Sequence, residues 1–391
     1  MNISKKKSYG IVLLSIAICI VNGCGNNTKE QPSGGKPQVS KIKDVVIYED
    51  TLFYAAFPSV IKRADGELLV AFRRAPNRQM YGESVTHIDL NSYLVMVRSR
   101  DCENWTKEPE LIYAYPFGGS QDPCLLQLRD GTLICASYVW TLLEPDPEKN
   151  YASWRSMAAF LGGYLVRSTD GGKNWSGPIY PPNVPTDDIK TIHGKPRPAY
   201  NRGAMYEGKS GRIFWAVPAS KPISGSVHLM TSDDKGLTWD YNSVIASDSV
   251  AAFNETSVYE TPKGDIVAFL RTANFDDQAC IARSTDGGKS FQWESMGFQG
   301  HPLHALRLPD NRVLLTYGYR HQPYGIRVRV LNEECTDFAT SEEFVLRDDG
   351  GSVDIGYTWS VLLDKNRVLV TYYFNINQGV RHIAGTIIEV K

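Results

Sequence analysis

One eight-residue pattern, Ser-x-Asp-x-Gly-x-x-Trp, constrains the fold of this chain most strongly, because it recurs. It occupies residues 168–175 and 232–239, has Phe in place of Trp at residues 284–291, and is shortened by one residue at 99–105. The Asp carboxylate can accept hydrogen bonds from N–H groups of its own turn, Gly supplies a positive φ, and the aromatic ring packs between strands. Each copy follows a β-rich run, so four copies indicate tight hairpins in a repeat architecture.

A second set of turns gives the number of repeats. Six turn signals each precede a further β-rich run: Asp65-Gly66, Asp130-Gly131, Ser210-Gly211, Lys263-Gly264, Asp310-Asn311 and Lys365-Asn366. Their spacing leaves room for about four strands per repeat. The sequence therefore predicts an all-β fold, a six-bladed β-propeller of four-stranded antiparallel blades. The ring closes if residues 44–48 and 382–390 share a blade, since two sheet edges otherwise stay open.

The N-terminal residues 1–24 have the features of a lipoprotein export signal. Three lysines at positions 5–7 precede an apolar run, residues 11–21, that is too short to span a bilayer as a helix. Residues 21–24 resemble a lipobox, which makes Cys24 the lipidated first mature residue; a plain cleaved signal is the alternative. We expect residues 25–41 to be a flexible tether, residues 42–391 to be the propeller, and the protein to be anchored by lipid in the cell envelope, either periplasmic or surface-exposed.

The composition of the chain limits the classes of partner and cofactor that we expect it to bind. A net charge of −1 with scattered basic residues argues against nucleic acid, and a monomer is expected. The cysteines after Cys24 form no pattern typical of a metal site, so neither a metal nor a cofactor is predicted. Cys135 and Cys280 lie in apolar runs typical of a core, and a Cys124–Cys135 bridge across a hairpin is left open.

The candidate site follows from the register of the repeats. The first strand of each propeller blade runs along the central channel. Nine positions before each turn residue stand Phe57, Asp122, Arg202, Glu255, Pro302 and Tyr357. Core packing does not require two carboxylates, an arginine and a tyrosine at equivalent positions, so we expect these side chains to converge on one cavity.

From about residue 50 onward the chain resembles the bacterial sialidase (neuraminidase) superfamily, whose hallmark is a propeller with this turn, the Asp box. The segments around Glu255 and Arg271 resemble those that carry a catalytic Glu and one arginine of the substrate-clamping triad. Residues 323–329 resemble the segment of another triad arginine, here Arg327, and residues 356–360 that of the nucleophilic tyrosine, here Tyr357. The resemblance thus implies a glycan substrate.

The chemistry of this set is coherent. Sialic acid carries a carboxylate on its anomeric carbon, and a carboxylate nucleophile would be repelled by it. A phenol avoids this repulsion, and Glu255 can draw the proton from Tyr357. Arginines can bind the substrate carboxylate bidentately, and a general acid must protonate the departing oxygen.

This sequence departs from the family pattern in two places. The Arg-Ile-Pro motif of the first blade is replaced by Ala56, Phe57 and a proline, so one triad arginine is absent. Arg73 and Arg74 at the end of the next strand are candidates to replace it, and Arg74 is the predicted substrate-binding residue.

The second departure concerns the general acid. The loop that carries the acid/base Asp in the family corresponds here to residues 78–91, which offer Glu83, His87 and Asp89. Spacing favours Asp89.

Several further residues are not needed for sialidase chemistry. His301 opens the fifth blade and Arg320 leaves its second strand, and His, Tyr and Arg are also the set that a uronate lyase uses. Asp122 is either an acid catalyst or a turn former. We therefore predict substrate contacts at Arg202, Asp122, His301 and Arg320.

Three functional hypotheses follow. The first is a retaining, sialidase-like exo-glycoside hydrolase that releases a terminal sialic acid with Tyr357 as nucleophile. The second is a hydrolase or lyase acting on a different, uronate-containing polysaccharide, which the absent first-blade arginine motivates. The third is a glycan-binding propeller without catalysis.

Overall fold

The computed structural model describes residues 37–78, 89–144, 158–220, 225–377 and 379–391. Regular structure in these ranges consists of β-strands, and no helix there is long and apolar enough to cross a membrane. The first strands are β1 (Val39–Tyr48), β2 (Phe53–Lys62), β3 (Leu68–Pro76), β4 (Tyr93–Ser99), β5 (Glu110–Tyr113), β6 (Gly119–Ser120), β7 (Cys124–Gln127), β8 (Leu133–Leu142), β9 (Ala158–Ser168) and β10 (Ser176–Ile179). Then follow β11 (Tyr206–Glu207), β12 (Ile213–Ala219), β13 (Ser226–Ser232), β14 (Asp240–Ala246), β15 (Phe253–Glu260), β16 (Ile266–Thr272), β17 (Gln278–Ser284) and β18 (Gln292–Gln299). The last are β19 (His301–Arg307), β20 (Val313–Tyr319), β21 (Gly325–Leu331), β22 (Glu343–Arg347), β23 (Gly356–Leu362), β24 (Arg367–Phe374) and β25 (His382–Val390).

These strands form six small antiparallel sheets, which confirms the predicted six-bladed β-propeller. Blade 1 has the order β2-β3-β4-β5, and in blade 2 both β6 and β7 pair with β8, followed by β9 and β10. Blades 3, 4 and 5 run β11 to β14, β15 to β18 and β19 to β22 in sequence order. Blade 6 has the order β23-β24-β25-β1, so strands from both ends of the described chain share it.

Blade 6 closes the ring as the sequence predicts. Asp44 of β1 pairs with Thr386 of β25, and the ladder extends to Val39 opposite Val390. Strand β1 therefore includes residues 39–41, which we had assigned to the tether. The proposed signal and Cys24 lie outside the described residues.

The repeated Ser-x-Asp turns connect the third and fourth strands of blades 1 to 4. After β9, Ser168 Oγ accepts the N–H of Gly172 at 2.9 Å, and Asp170 Oδ1 accepts that of Lys173 at 3.0 Å. The indole Nε1 of Trp175 donates to Gly172 O at 3.1 Å. The turns after β13 and β17 use the same backbone bonds. Because the turns between first and second strands lie at this same end of the blades, the other end is available for a site.

Apolar clusters between neighbouring sheets hold the ring together. Blades 3 and 4, for example, share a buried cluster that includes Phe214, Leu229, Val258 and Leu270. Strands covered on both faces read as apolar runs rather than as alternating patterns, which is why the sequence showed continuous β-rich stretches.

The cysteines of the described chain are buried and unbridged. Cys124 pairs across the sheet with Ala136, and Cys135 pairs with Leu125. The Cys124–Cys135 bridge that the sequence left open is therefore not formed.

Candidate active site

The first strand of every blade is irregular at the position that we predicted to face the channel. A β-bulge at this position contains Phe57 in β2, Glu255 in β15, Pro302 in β19 and Tyr357 in β23; Asp122 lies between β6 and β7, and Arg202 precedes β11. A bulge bends its strand and redirects a side chain. Phe57 and Tyr357 also have φ angles of 59° and 54°, which non-glycine residues rarely adopt.

Three of the predicted residues make direct contact. The phenol of Tyr357 donates a hydrogen bond to Glu255 Oε1 at 2.7 Å. Arg271, near the end of β16, donates from Nη1 to Glu255 Oε2 and lies 3.1 Å from the Tyr357 hydroxyl. A phenol, a carboxylate and a guanidinium from three strands thus form one hydrogen-bonded cluster.

The charges of this cluster keep its carboxylate ionised and its phenol neutral. Burial raises the pKa of Glu255, but the positive charge of Arg271 and the hydrogen bonds from Tyr357 and Arg271 outweigh it and bring the pKa below its ordinary value. Burial, followed by the charge of Glu255, raises the pKa of Tyr357 well above its ordinary value, while Arg271 and Arg320 oppose this rise. Glu255 is thus a base in contact with a proton that it can accept.

Two further arginines flank the ring of Tyr357. The guanidinium of Arg320 lies 5.2 Å from the ring centroid, and that of Arg202 lies 5.3 Å from it. Arg320 Nη2 donates to the hydroxyl of Tyr373 at 3.0 Å. Arg202 Nη2 donates to Pro58 O at 2.8 Å. Positive charge therefore surrounds the phenol, as recognition of an anionic ligand requires.

A second carboxyl lies close to this cluster. Asp122 is 2% exposed and accepts a hydrogen bond from the hydroxyl of Tyr138 at 3.0 Å. Burial, and next the charge of Glu255, raise the pKa of Asp122 to about 6, while Arg202 and Arg73 oppose the rise. Asp122 is thus a carboxyl that binds its proton much more tightly than an ordinary Asp.

An aromatic wall adjoins Asp122 through Tyr138. Its rings are half-buried, and its members are Tyr138, Trp140, Phe160 and Tyr200. Phe160 is central, with ring centroids 4.7 Å from Trp140 and 4.4 Å from Tyr200. Half-buried rings that keep an exposed face can stack on the apolar face of a sugar.

A hydrogen-bonded network centred on Asp354 supports Arg320 through Tyr373. Asp354 Oδ1 accepts the hydroxyl proton of Tyr373 at 2.8 Å, and Asp354 Oδ2 accepts from Arg381 Nε at 2.9 Å. Tyr54 donates to the same carboxylate at 3.1 Å. No sequence signal indicates this network, because its members belong to no shared motif and only the fold brings them together.

A family model described as a BNR repeat-like domain matches residues 120–330, more than half of the chain. The chain belongs to this BNR repeat-like family. Comparison with curated protein sequences gives no significant match.

Three solved structures similar to this BNR repeat-like protein differ widely in their sequence identity to it. A protein of unknown function from Dyadobacter fermentans is 61% identical, with a TM-score of 0.85 over 90% of this chain and 99% of the other. The K499G mutant of NanB sialidase from Streptococcus pneumoniae is 13% identical, with a TM-score of 0.59 over 91% of this chain and 71% of the other. An α-L-arabinanase from Penicillium chrysogenum is 12% identical, with a TM-score of 0.61 over 90% of this chain and 98% of the other. At 12–13% identity, the likeness shows a shared fold.

Within this BNR repeat-like propeller, Arg327 lies apart from the Tyr357 cluster. It belongs to β21, the third strand of blade 5, and pairs with Tyr317 across the sheet. Its guanidinium donates to the carbonyls of Arg347 and Pro323. The structure therefore does not bring Arg327 to the cluster, whereas Arg320, on the same hairpin, lies beside Tyr357.

Arg73 and Arg74 point to opposite faces of blade 1, because successive side chains alternate along a strand. Arg74, the predicted replacement for the absent arginine, lies 3.3 Å from Asp50 Oδ2 and stacks 3.5 Å from the ring centroid of Phe53. Arg73 instead lies opposite Ala56 in the β2–β3 ladder, and its charge acts on that of Asp122. Arg73 is thus the one of the two that lies near the cluster.

Asp89, the predicted general acid, is buried. Its Oδ2 lies 2.5 Å from Arg78 Nε, and its Oδ1 accepts the N–H of Asn91 at 2.8 Å. Among the contacts of the described residues, none joins Asp89 to Glu255 or Tyr357. The other two candidates in this loop lie outside the described residues.

The two histidines of β19 have different surroundings. His304 stacks on Trp359 at 4.7 Å, its Nδ1 accepts the N–H of Ser360 at 3.3 Å, and burial lowers its pKa to about 3. These contacts are those of a packed structural residue. His301 Nε2 lies 3.0 Å from Asp277 Oδ1. No cluster of three or more possible metal ligands is found in the described part of the chain.

Proposed function

We propose that the protein is a retaining glycoside hydrolase that releases a terminal sugar carrying a carboxylate at its anomeric carbon, of which sialic acid is the type. The observation that carries this proposal is the contact of Tyr357 with Glu255 at 2.7 Å, with Arg271 touching both. A neutral nucleophile is the choice that an anionic reaction centre favours, since it adds no like charge to the approach.

The first step forms a bond from Tyr357 Oη to the anomeric carbon. As this bond forms, the phenol proton passes to Glu255 Oε1, and the bond to the leaving oxygen breaks with protonation by a general acid. In the second step water attacks the anomeric carbon and gives a proton back to the deprotonated general acid, while the bond to Tyr357 breaks and the phenol regains its proton from Glu255. The raised pKa of Tyr357 means that its proton leaves only as the new bond forms, which keeps the resting site neutral at this oxygen.

Arg271 and Arg320 are the proposed carboxylate-binding pair. Arg271 already touches both members of the catalytic couple, and Arg320 is held beside the Tyr357 ring by Tyr373 and the carbonyl of Ile355. A guanidinium fixed by its neighbours loses little conformational freedom when it binds an anion. Arg73 is proposed as the third positive charge of the clamp. It takes the place of the arginine that the family has at the position occupied here by Ala56.

Two carboxyls are proposed as alternative general acids. The resemblance favours Asp89, whereas the pKa of about 6 favours Asp122, which holds a proton in weakly acidic solution. Asp89→Asn and Asp122→Asn variants separate them if each is assayed on an alkyl glycoside and on an aryl glycoside. Loss of the acid slows the alkyl substrate far more, because the aryl leaving group departs without a proton.

Trapping of the covalent intermediate tests the nucleophile. A fluorinated sialic acid analogue that slows the second step should add its mass to the peptide that contains Tyr357. The Tyr373→Phe variant is the matched control, since Tyr373 is a buried tyrosine of the same blade that does not contact Glu255, and it should still be labelled on Tyr357. Label on another residue, or turnover with no covalent adduct, would count against the proposal.

A second candidate, a lyase for a uronate-containing polysaccharide, is favoured by one observation. His301, whose pKa is lowered to about 4 by burial and then by the charges of Arg271 and Arg320, is a neutral base beside two arginines. Such a set can remove the proton next to a carboxylate that the arginines neutralise. An unsaturated product absorbing near the ultraviolet edge identifies a lyase, and its absence together with release of reducing sugar identifies a hydrolase.

We also propose that the protein is a lipoprotein of the cell envelope with Cys24 as the lipidated residue. Metabolic labelling with a palmitate analogue should mark the wild-type protein and leave the Cys24→Ser variant unmarked. Labelling of both proteins would contradict this assignment.

A further inference from the structure

Two histidines share one carboxylate beside the proposed clamp. Asp277, in the turn between β16 and β17, has its Oδ1 3.0 Å from His301 Nε2 and its Oδ2 3.1 Å from His321 Nε2. Asp277 O accepts the N–H of Gly300, which fastens the turn to the start of β19. Asp276 and Asp277 have φ angles of 49° and 53°, so two successive non-glycine residues adopt a costly conformation to present this carboxylate.

The shared carboxylate determines the tautomer of His301. Burial raises the pKa of Asp277, but the contacts with His301 and His321 and the charge of Arg271 outweigh it and hold the pKa below its ordinary value. Because an ionised carboxylate only accepts hydrogen bonds, a neutral imidazole must place its N–H on the nitrogen that faces Asp277. The negative charge of Asp277, 3.0 Å from Nε2, thus favours the proton of His301 on Nε2 and leaves the lone pair on Nδ1.

This lone pair has no partner among the described residues. His301 is 6% exposed, and both of its ring nitrogens are buried without a well-aligned hydrogen bond among the described residues. Nε2 has Asp277 Oδ1 3.0 Å away, whereas the contacts of the described residues give Nδ1 no such neighbour. Leaving such a buried acceptor unpaired destabilises the free protein. In a binding site an unpaired acceptor favours a ligand that supplies the missing donor over a ligand that does not.

His301 also lies beside the residues of the proposed site. A Cβ added to Gly318, its partner across the sheet, would lie 2.7 Å from His301 O and 3.0 Å from the Cα of Gly356, the residue before Tyr357. The charged groups that face His301 are Arg271 from β16, Arg320 after β20 and Asp277, and His321 contacts the same Asp277 carboxylate. The acceptor of His301 thus lies close to the donor groups of Arg271 and Arg320.

From this arrangement we infer that His301 is a specificity-determining residue, whose Nδ1 accepts a hydrogen bond from a hydroxyl of the bound sugar acid while Arg271 and Arg320 take its carboxylate. Asp277 and His321 act through His301 as positioning residues. The inference rests on the proposed function and adds to it a hydroxyl, close to the carboxylate, that the substrate must possess. A site built to receive a hydroxyl discriminates strongly against the analogue that lacks it.

The test combines a variant with deoxy analogues of the sugar acid. Binding of sialic acid and of its monodeoxy analogues is measured by calorimetry for the wild type and for His301→Phe, which keeps a ring but removes the acceptor. We expect His301→Phe to bind sialic acid about tenfold more weakly than the wild type does. We also expect one deoxy analogue to bind the wild type about tenfold more weakly than sialic acid does, and to bind His301→Phe with no further loss of affinity. If, for every analogue, the loss of affinity in the variant is the product of the two separate losses, His301 and the missing hydroxyl act independently and the inference is wrong.

Two controls separate this outcome from general damage. His228→Phe replaces a buried histidine of blade 3 that contacts Ser226, and should leave binding unchanged. His301→Gln provides another acceptor and should recover part of the lost affinity. If sialic acid and uronates fail to bind the wild-type protein, the proposed function and this inference both fall; if sialic acid binds but His301→Phe binds it equally well, only the inference falls.

A spectroscopic measurement tests the tautomer without any ligand. In histidine-labelled protein at neutral pH, the ¹⁵N resonances of His301 should show a protonated Nε2 and an unprotonated Nδ1, with titration only near pH 4. Asp277→Asn removes the negative charge that favours the proton on Nε2, so the Nδ1-protonated tautomer should become more populated and sugar affinity should fall. A protonated Nδ1 in the wild type would overturn the inference.

Discussion

Arg73 lies directly opposite Ala56 in the β2–β3 ladder, and neither residue is exposed to solvent. Side chains at directly opposed positions of an antiparallel pair have Cβ atoms about 4.5–5.5 Å apart. The small Ala56 therefore leaves space on the face from which Arg73 projects. Arg73 is therefore the residue that we propose in place of the guanidinium absent at position 56, one reason to expect binding of an anion despite that departure.

Arg73→Met tests this relationship through the proton of Asp122. Arg73 lowers the pKa of Asp122 against the larger effect of burial, so its removal should move that pKa above about 6. The carboxyl ¹³C resonance of Asp122, followed against pH, measures the shift. Arg74→Met removes the same charge from the opposite face and should leave the titration unchanged, so equal titrations in both variants would contradict the placement of Arg73.

Tyr357→Phe should abolish glycoside cleavage. The variant keeps the ring and its packing against Phe57 at 4.8 Å but removes the atom that we propose as nucleophile. We expect kcat on a fluorogenic sialoside to fall by about 10³-fold or more, while the fold is retained. Tyr373→Phe, which loosens Arg320 without touching Glu255, should raise KM and largely keep kcat. Full activity in Tyr357→Phe would falsify the assignment.

Arg320→Met and Arg327→Met distinguish the two candidates for the second clamp. Arg320 lies beside Tyr357, so its loss should raise KM for an acidic sugar by about tenfold. Arg327 donates to two backbone carbonyls in blade 5, so its loss should lower the free energy of unfolding by about 1–3 kcal/mol with little change in KM. The reverse pattern in kinetics and in urea unfolding would restore the assignment that the sequence suggested.

Asp122→Asn should make the protein more stable at high pH. The folded state raises the pKa of Asp122 from 3.8 to about 6, so the protonated form is favoured in the fold, and this contribution is lost as pH rises through about 6. Asn cannot ionise and can still accept from Tyr138. At pH 8 the variant should therefore be more stable by up to about 3 kcal/mol, since one pKa unit corresponds to about 1.4 kcal/mol. The difference should shrink towards zero below pH 4.

Asp170→Asn provides a control of opposite sign for this measurement. The hydrogen bonds from its own turn lower the pKa of Asp170, so the carboxylate stabilises the fold above its unfolded pKa, and this contribution is lost as pH falls. The variant should melt at a lower temperature than the wild type at pH 7 and approach it in acid. Parallel pH dependences for the two variants would show that the stability change does not come from these carboxyls.

Local chemistry made much of this fold and part of its site predictable. The Ser168–Trp175 turn is held by atoms within eight residues of each other, so the sequence alone carries its geometry. The spacing of such turns predicts the number of blades, and the shared register predicts that Glu255 and Tyr357 lie together, as they do at 2.7 Å.

Only the tertiary structure decided which charged side chains face that pair. Arg320 and Arg327 belong to one hairpin and are similar in sequence context, yet one flanks Tyr357 and the other bonds carbonyls within its own blade. The raised pKa of Asp122 and the partnership of His301 with Asp277 also arise from burial and from neighbours distant in sequence. Turn formation depends on adjacent residues, whereas the direction and the charge of a side chain depend on how bulges bend each strand and on what lies across the channel.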